Sequence, residues 1–273
     1  MDRPLAAFDI ESIPDPDAGR RLWGLEGDDA AVIDGMLARR LEDTDGRTDF
    51  LPPPHHRIVT IAVAWLDPSS GSFKLGVPAG EADEEASQIE AFFSTVERPR
   101  TAPRLISWNG NGFDLPVLRY RAMLHGIAAP GFYRTDGEWK WNNYQNRFHD
   151  LHVDLMDVLA GFGASERVGL DALSRIMGLP GKTVTEGHRV AGHVLRGEMD
   201  VVRTYCELDA LNTLLLYLLW CHHRGRLDRG GLRRHVGAIA AVLREDGAHP
   251  AWREYAGALE GWPEWLARID AGR

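Results

Sequence analysis

The sequence predicts an α/β fold: a mixed five-stranded sheet flanked by helices and followed by a helical extension. Three observations support this class. The chain has 273 residues, of which 44% are hydrophobic and 26% charged, a composition typical of a soluble globular protein. Three strand patterns follow one another in the first third of the chain, and strands then alternate with helical patterns. That order is typical of a mixed sheet with helices packed on it.

Five short apolar segments are predicted as strands. The first begins close to the N-terminus, and the second, rich in Ile and Val, has the clearest strand composition. The third follows it across a Pro-Ser-Ser-Gly turn and is predicted to pair with it. The predicted strands are residues 5–10, 58–65, 72–77, 104–108 and 153–158.

Apolar residues at helical spacing predict the helices that cover this sheet. They lie at residues 84–96, 114–125, 170–177 and 199–220. A polar insertion at about residues 14–56 is predicted to leave the core, apart from one short helix over 30–41. Residues 225–273 are predicted to form two or three helices, broken near Gly247 and Pro250 and near Gly261 and Pro263. We therefore predict one domain over 1–222, with a helical extension over 223–273 packed on it.

The charge and cysteine content restrict the class of protein. There are 31 basic and 40 acidic residues, giving a formal charge of −9. A protein that holds nucleic acid by bulk charge is usually basic, because phosphate contacts need Lys and Arg. Cys206 and Cys221 share a predicted helix in which 15 residues span roughly 22 Å, too far for a disulfide. No apolar run approaches the ~20 residues needed to cross a bilayer, so we expect a cytoplasmic protein with no membrane partner.

Two motifs place carboxylates at the ends of predicted strands. Asp9 and Glu11 are two residues apart on one strand, so their side chains point the same way. Carboxylates held so close repel each other unless a cation lies between them, although solvated acids at an exposed strand end are the alternative. Residues 109–114, Asn-Gly-Asn-Gly-Phe-Asp, join a strand to a helix, and Asp114 begins that helix. A simple helix cap is the alternative there.

A third motif lies in the long helix. Tyr205 and Asp209 are four residues apart and so share a helical face, about 6 Å apart along the axis. That face borders the apolar side of the helix, where an Asp needs a partner or a cation. A packed tyrosine beside a solvated Asp is the alternative.

Taken in order, these motifs resemble the three exonuclease motifs of the DEDDy branch of 3′–5′ exonucleases. Residues 8–11 and 109–114 are similar to the proofreading domain of B-family DNA polymerases. The length of the chain, the Leu-Pro-Gly-Lys turn at 179–182 and the Tyr-Cys-Glu start of the third motif resemble the stand-alone predicted exonucleases related to that domain. The resemblance covers about residues 5–222.

This resemblance implies a ribonuclease H-like fold and an enzyme that hydrolyses phosphodiester bonds at the 3′ end of nucleic acid. It implies two divalent cations, Mg²⁺ or Mn²⁺, and hard oxygen ligands suit both ions. The implied metal ligands are Asp9, Glu11, Asp114 and Asp209. Tyr205 corresponds to the residue that orients the attacking water. Two ions also add positive charge, which accounts for an acidic protein acting on an anionic polymer.

The implied substrate is nucleic acid with a free 3′ end, single-stranded, with DNA favoured over RNA. Its terminal nucleotide is expected near Asn109, Phe113, Ser12 and Ile13. Two alternatives remain: a nucleic-acid-binding module with a silent nuclease site, and a hydrolase of oligonucleotides or small phosphodiesters. The four acidic residues count against the silent module, which would not need mutually repelling acids.

Three further features carry alternatives. His152 and Asp154 would share a strand face, so residues 149–154 suggest either a separate transition-metal site or a structural Asp. The basic run over 222–234 either contacts the nucleic-acid backbone or is a solvated helix face. Trp139, Trp141, Lys140, Tyr144 and Arg147 either stack bases or cover the core edge.

Overall fold

A computed structural model describes residues 3–78, 84–97, 102–181, 184–185, 187–245 and 248–266. Its strands are β1 (Leu5–Pro14), β2 (His56–Leu66), β3 (Phe73–Gly76), β4 (Arg104–Ser107) and β5 (His152–Asp154). They form one sheet in the order β3-β2-β1-β4-β5. β2 is antiparallel to β1 and β3, whereas β4 runs parallel to both β1 and β5. The predicted mixed five-stranded sheet is confirmed.

Helices lie on both faces of this sheet. They are α1 (Pro16–Trp23), α2 (Asp29–Asp43), α3 (Glu85–Ser94), α4 (Asp114–Leu124), α5 (Leu155–Leu159), α6 (Leu170–Ile176), α7 (Val190–Leu195), α8 (Met199–His223), α9 (Arg229–Leu243) and α10 (Pro250–Ala258). The four helices predicted over 84–96, 114–125, 170–177 and 199–220 are confirmed as α3, α4, α6 and α8, with ends close to their predicted limits.

The alternation of side chains along β1 determines what faces each layer. Leu5 and Ala7 pack into the apolar cluster that surrounds α8. Phe8 and Ile10 point the other way, into the cluster formed with α3 and α4. Because the strand period is two, the odd-numbered residues Asp9 and Glu11 continue the face that meets α8. The fold thus directs Asp9 and Glu11 toward the long helix α8.

Two predictions about secondary structure were wrong. The insertion over 14–56 does not simply leave the core: β1 extends to Pro14, and α1 precedes the expected helix α2. α2 buries Val32 and Met36 in a small apolar cluster, and it buries Ile33 in another that includes Ile13 and Tyr205. The strand predicted over 153–158 ends at Asp154. The Asp154 carboxylate accepts a hydrogen bond from the Asp157 amide and so caps the start of α5. The four apolar residues of this segment are too few for their periodicity to separate strand from helix.

The region after α8 is helical, as predicted. α9 and α10 pack on each other, and α9 contacts both α8 and β3. Gly247, one expected break point, and Lys182, in the turn noted above, lie outside the described residues. The division of the chain at residue 222 stays a prediction. Within the part of the chain that the structure describes, no helix is both long and apolar enough to span a membrane.

Candidate active site

Asp9 and Glu11 lie side by side at the centre of the sheet. Asp9 is half-buried, and the Glu11 side chain is buried. A ligand atom from each lies within 4.8 Å of the other and of the Cys206 sulfur on α8. A β-bulge between Glu11 and Ser12 then shifts the register of β1 against β2. Bulges re-aim side chains beside functional sites, and here the bulge directly follows the second carboxylate.

Asp114 approaches the same point from the other side of β1. It is the first residue of α4 and is 5% exposed, and its Oδ1 accepts a hydrogen bond from the Ile10 amide at 3.3 Å. Ile10 lies between the two acids in the sequence, so the Asp114 carboxylate is held beside the segment of β1 that carries them. Burial raises the pKa of Asp114 to about 7, and the nearby Asp154 and Asp209 add to the rise. The site therefore concentrates negative charge in a poorly solvated place.

The turn before α4 depends on residues without bulky side chains. Asn109 adopts a left-handed backbone with φ of 64°, a conformation that Asn tolerates better than most residues. A Cβ on Gly112 would lie 2.7 Å from the Asn109 Oδ1 atom, and one on Gly110 would overlap the Ser107 hydroxyl. The two glycines therefore let the chain fold tightly enough to bring Asn109, Phe113 and Asp114 into one loop.

Asp154 organises this loop through hydrogen bonds to its backbone. Its carboxylate accepts hydrogen bonds from the amides of Asn109 at 3.0 Å and Asn111 at 2.9 Å. His152 forms a hydrogen bond with the Ser107 hydroxyl at 2.8 Å, and burial lowers its pKa to about 4. These contacts favour the structural alternative for residues 149–154. Within the described ranges, the only group of three His, Cys, Asp or Glu side chains spaced for a metal ion is the one at Asp9.

α8 presents Tyr205 and Asp209 to the acids of β1. Both side chains are buried, 2% and 5% exposed, so the solvated-Asp alternative is excluded. Burial raises the pKa of Tyr205 far above its usual value, and the charges of Asp209, Glu11 and Asp9 raise it further. The tyrosine consequently stays protonated and can donate a hydrogen bond. The pair and the β1 carboxylates thus share one electrostatic environment.

Cys206 is the residue that sequence reasoning did not assign. Its sulfur lies 3.3 Å from the Asp9 backbone oxygen, to which the thiol donates. Burial and the neighbouring carboxylates of Asp9, Glu11 and Asp209 hold its pKa well above the usual range. A thiol that keeps its proton is a poor metal ligand. We therefore assign Cys206 to packing between α8 and β1. A Cys inside an apolar helix indicates burial, but it does not indicate which strand the residue contacts.

The predicted substrate contacts separate into two groups. Phe113 packs edge-on against His56 at 5.0 Å between ring centres and lies 5.4 Å from Phe50. The Ser12 hydroxyl forms a hydrogen bond with the same His56 at 3.1 Å. Ile13, in contrast, is buried in an apolar cluster with Tyr205, so its side chain faces the core.

Phe50 and His56 were missed by sequence reasoning. Phe50 is 56% exposed although it lies beside the loop that carries Phe113. Nothing in the sequence links these rings, because their contact depends on how the insertion returns to β2. A single aromatic residue before a Pro-Pro-Pro run was the one available signal.

The basic run after α8 is partly engaged within the fold. The Arg224 guanidinium lies 4.1 Å from the centre of the Trp220 ring, and the His222 ring stacks on Trp265. Such stacking is consistent with a structural helix face. A contact between this run and nucleic acid stays a prediction.

Comparison with known proteins identifies a matching family model and a similar solved structure. The family model described as a predicted 3′–5′ exonuclease related to the exonuclease domain of PolB matches residues 48–259. The family B DNA polymerase from the hyperthermophilic archaeon Pyrobaculum calidifontis is similar at 18% identity with a TM-score of 0.47. That similarity covers 91% of this chain and 31% of the polymerase chain, so this chain spans about a third of its length. No curated protein matches.

The family match includes the loop over 109–114 and the Tyr205–Asp209 helix, whereas Asp9 and Glu11 precede it. It extends over well more than half of the chain. The protein therefore belongs to the family of predicted 3′–5′ exonucleases related to the exonuclease domain of PolB, which confirms the enzyme class that the three motifs predict.

Proposed function

We propose that this protein removes nucleotides from the 3′ end of nucleic acid by hydrolysis that depends on two divalent cations. The observation that carries the proposal is the proximity of the Asp9 and Glu11 carboxylates, which lie within 4.8 Å of each other. Asp114 is held at Ile10, and Asp209 lies in the same electrostatic environment. Carboxylates held close together in a poorly solvated place are stabilised by cations.

The donor set is suited to Mg²⁺ or Mn²⁺. Carboxylate oxygens are the ligands that these hard ions prefer, and the protonated Cys206 thiol does not favour a softer metal. We assign the ligands to Asp9, Glu11, Asp114 and Asp209. When bound, two such ions stabilise both the attacking and the leaving oxygen of a phosphodiester displacement.

Tyr205 is assigned to orienting the water that attacks the scissile phosphate. Its raised pKa keeps the hydroxyl protonated at any physiological pH, so the phenol acts as a hydrogen-bonding group and not as a base. Asp209 lies one turn later on α8, and the side chains of the two residues are hydrogen-bonded. The tyrosine ring packs against Ile13, which fixes the direction of the hydroxyl.

The terminal nucleotide is assigned to the space between the end of β1 and the loop before α4. Asn109, Phe113 and the backbone at Ser12 and Ile13 are its proposed contacts. The neighbouring rings of Phe50 and His56 add apolar edges on which an unstacked base can pack. Such contacts favour a single-stranded end, and we propose DNA over RNA as the substrate. Two buried free cysteines are consistent with a reducing, cytoplasmic location.

The proposal is tested with 3′-end-directed degradation of labelled single strands. The parent protein is incubated with linear and covalently closed single-stranded DNA, and with RNA, in Mg²⁺, Mn²⁺ or chelator. A ladder that shortens from the 3′ end of the linear strand, needs metal and spares the circle supports the proposal. Loss of the circle at an equal rate would indicate an endonuclease instead.

Two substitutions on α8 separate the proposed roles. Asp209→Ala removes a ligand, so both turnover and metal-induced thermal stabilisation are expected to collapse. Tyr205→Phe keeps the ring and is expected to lower the rate ~10²–10³-fold, the usual effect of losing one well-placed catalytic hydrogen bond. Its metal-induced stabilisation is expected to match that of the parent.

The degradation assay with labelled strands also distinguishes the proposal from its alternatives. Metal-dependent binding with no cleavage of any substrate would indicate a silent nuclease site. Degradation confined to dinucleotides would indicate a small-phosphodiester hydrolase. If Tyr205→Phe cleaves at the parent rate across pH 6–9, the tyrosine is a packing residue and the assigned mechanism is wrong.

A further inference from the structure

The aromatic residues between positions 139 and 148 divide into two groups in the structure. Trp139 and Tyr144 are buried, and the Tyr144 hydroxyl donates to the Pro103 carbonyl oxygen. These two rings cover the core edge. Trp141 and Phe148 are 77% and 68% exposed, so core packing does not account for them.

Phe148 belongs to a cluster in which rings and guanidinium groups meet at the surface. Its ring lies 4.8 Å from that of Phe162, at 63° between planes. The Arg147 guanidinium lies 5.4 Å from the first ring centre and 5.1 Å from the second. We call Arg147, Phe148, Phe162 and Arg167 the arginine–aromatic surface. Both arginines expose about half of their side chains, 44% and 51%.

Phe162 reaches this surface in an unfavourable backbone conformation. Its φ of 56° and ψ of 36° lie in the left-handed region, which a bulky residue seldom adopts. Its ring is nevertheless 37% exposed. A strained residue whose side chain does not fill the core is more often found where a ligand binds than where the fold is being stabilised.

The arginine–aromatic surface adjoins the candidate active site through two carboxylates. Asp157 pairs with Arg167 at 2.6 Å and lies 3.8 Å from Arg147. The Asp157 amide donates to Asp154, the residue that holds the Asn109 amide. Asp157 and Asp154 therefore connect the surface to the loop before α4.

We propose that the arginine–aromatic surface binds the single-stranded segment that leads to the 3′ end, an inference that rests on the proposed nuclease function. Bases stack on the rings of Phe148 and Phe162, and Arg147 and Arg167 contact phosphates. Two guanidinium groups share the single carboxylate of Asp157, which leaves local positive charge on a protein whose formal charge is −9. Exposed rings interleaved with arginines fit a single strand, because every base offers a face for stacking.

Binding is measured by fluorescence anisotropy with a labelled single-stranded 12-mer in chelator, where cleavage cannot occur. Phe148→Ala is expected to weaken binding about tenfold, the effect of losing one stacked base. Tyr133→Ala is the matched control, since Tyr133 is a 50% exposed aromatic residue whose ring packs edge-on against Phe132, a residue outside this surface. Arg147→Ala is expected to weaken binding and to reduce its salt dependence.

Phe162→Gly separates binding from folding. Glycine tolerates positive φ, so this variant is expected to keep the parent's melting temperature or exceed it while binding the strand about tenfold more weakly. A purely structural role for Phe162 predicts the reverse: a lower melting temperature with unchanged binding.

Cleavage kinetics then give a second readout. With the 12-mer, Phe148→Ala is expected to raise KM about tenfold at unchanged kcat, and with a dinucleotide both constants are expected to match the parent. Equal anisotropy for parent, Phe148→Ala and Phe162→Gly would overturn the inference. If the parent binds the 12-mer but never cleaves it, and the variants bind less well, the surface stands and the proposed catalytic function fails.

Discussion

The molecule contains two groups of buried carboxylates on the same pair of elements, and they are neutralised in different ways. At the start of α4, Asp114 faces the acids of β1. About two turns later on α4, Arg121 donates to Asp15, just beyond the end of β1, at 2.6 Å. Its Nε atom also donates to Glu85 on α3 at 2.7 Å. One strand and one helix thus hold both an acidic group and a closed ion-pair network.

The difference lies in what surrounds each carboxylate. Around Tyr205 and Asp114, the charges that shift the pKa values are other acids. Asp15 and Glu85 instead share the guanidinium of Arg121, whose side chain is 7% exposed. A fixed cation suits a network that holds elements together. A catalytic cation must instead coordinate the substrate phosphate directly. A metal ion bound from solution can do this, whereas an arginine already paired with two carboxylates cannot.

Arg121→Met gives the largest expected effect on stability. Removing the guanidinium leaves Asp15 and Glu85 buried without their common cation, which is expected to lower the free energy of unfolding by about 3–5 kcal/mol. Urea denaturation at neutral pH measures the change. Arg20→Met is the matched control, because the Arg20–Asp29 pair is more exposed and is expected to contribute less than about 1 kcal/mol. Equal losses in the two variants would contradict the contrast drawn here.

Divalent metal is expected to do for the acidic group what Arg121 does for its network. At a free Mn²⁺ concentration one hundred times the dissociation constant, the native state gains about 2.7 kcal/mol. Thermal unfolding is followed over a Mn²⁺ titration and again after chelation, which should reverse the gain. An unchanged melting temperature up to millimolar Mn²⁺ would mean that Asp9, Glu11, Asp114 and Asp209 do not bind metal.

His152 makes the free energy of unfolding depend on pH independently of the carboxylates. Its folded pKa of about 4 lies below the unfolded value of 6.5. The unfolded chain therefore takes up a proton first, and stability is lost as pH falls from 6.5 toward 4. Between pH 7 and pH 5 the parent is expected to lose about 2 kcal/mol more than His152→Asn. Identical pH profiles for unfolding in urea would show that His152 does not titrate in this way.

Asp114→Asn gives the smallest effect and the finest test. The amide oxygen can still accept from the Ile10 amide, while the buried charge is lost. Without metal, the variant is expected to be as stable as the parent or up to about 1 kcal/mol more stable, because replacing a buried charge relieves its desolvation. With Mn²⁺, its stabilisation is expected to shrink. A marked loss of apo stability, like that of Arg121→Met, would show that this carboxylate also has a permanent structural partner.

Much of this architecture follows from local sequence signals. Apolar alternation and turn residues located β1, β2 and β3, and helical spacing located α8 with Tyr205 and Asp209 on one face. The strand period alone predicted that Asp9 and Glu11 point the same way. The sequence did not indicate α1 or the end of β5 at Asp154. Both features lie in short segments, where packing and helix capping outweigh intrinsic helix or strand propensity.

Contacts between distant segments were beyond prediction for a different reason. Phe50 meets Phe113 because of the path taken by the insertion. Asp154 was recognised as a structural candidate, but its hydrogen bonds to Asn109 and Asn111 require the parallel pairing of β4 and β5. Neither the Phe50–Phe113 contact nor the pairing of β4 with β5 produces a periodic pattern in a single sequence.

The position of α10 has a consequence for the order in which the site matures during synthesis. Its Trp252 indole donates to Glu207 at 3.0 Å, and its Tyr255 hydroxyl donates to Asn212 at 2.6 Å, so it holds α8 on both sides of Asp209. α10 leaves the ribosome after every strand and after α8 itself. A nascent chain can fold its sheet while these two α8 side chains still await their partners. α10 therefore completes the support of the helix that carries Tyr205 and Asp209.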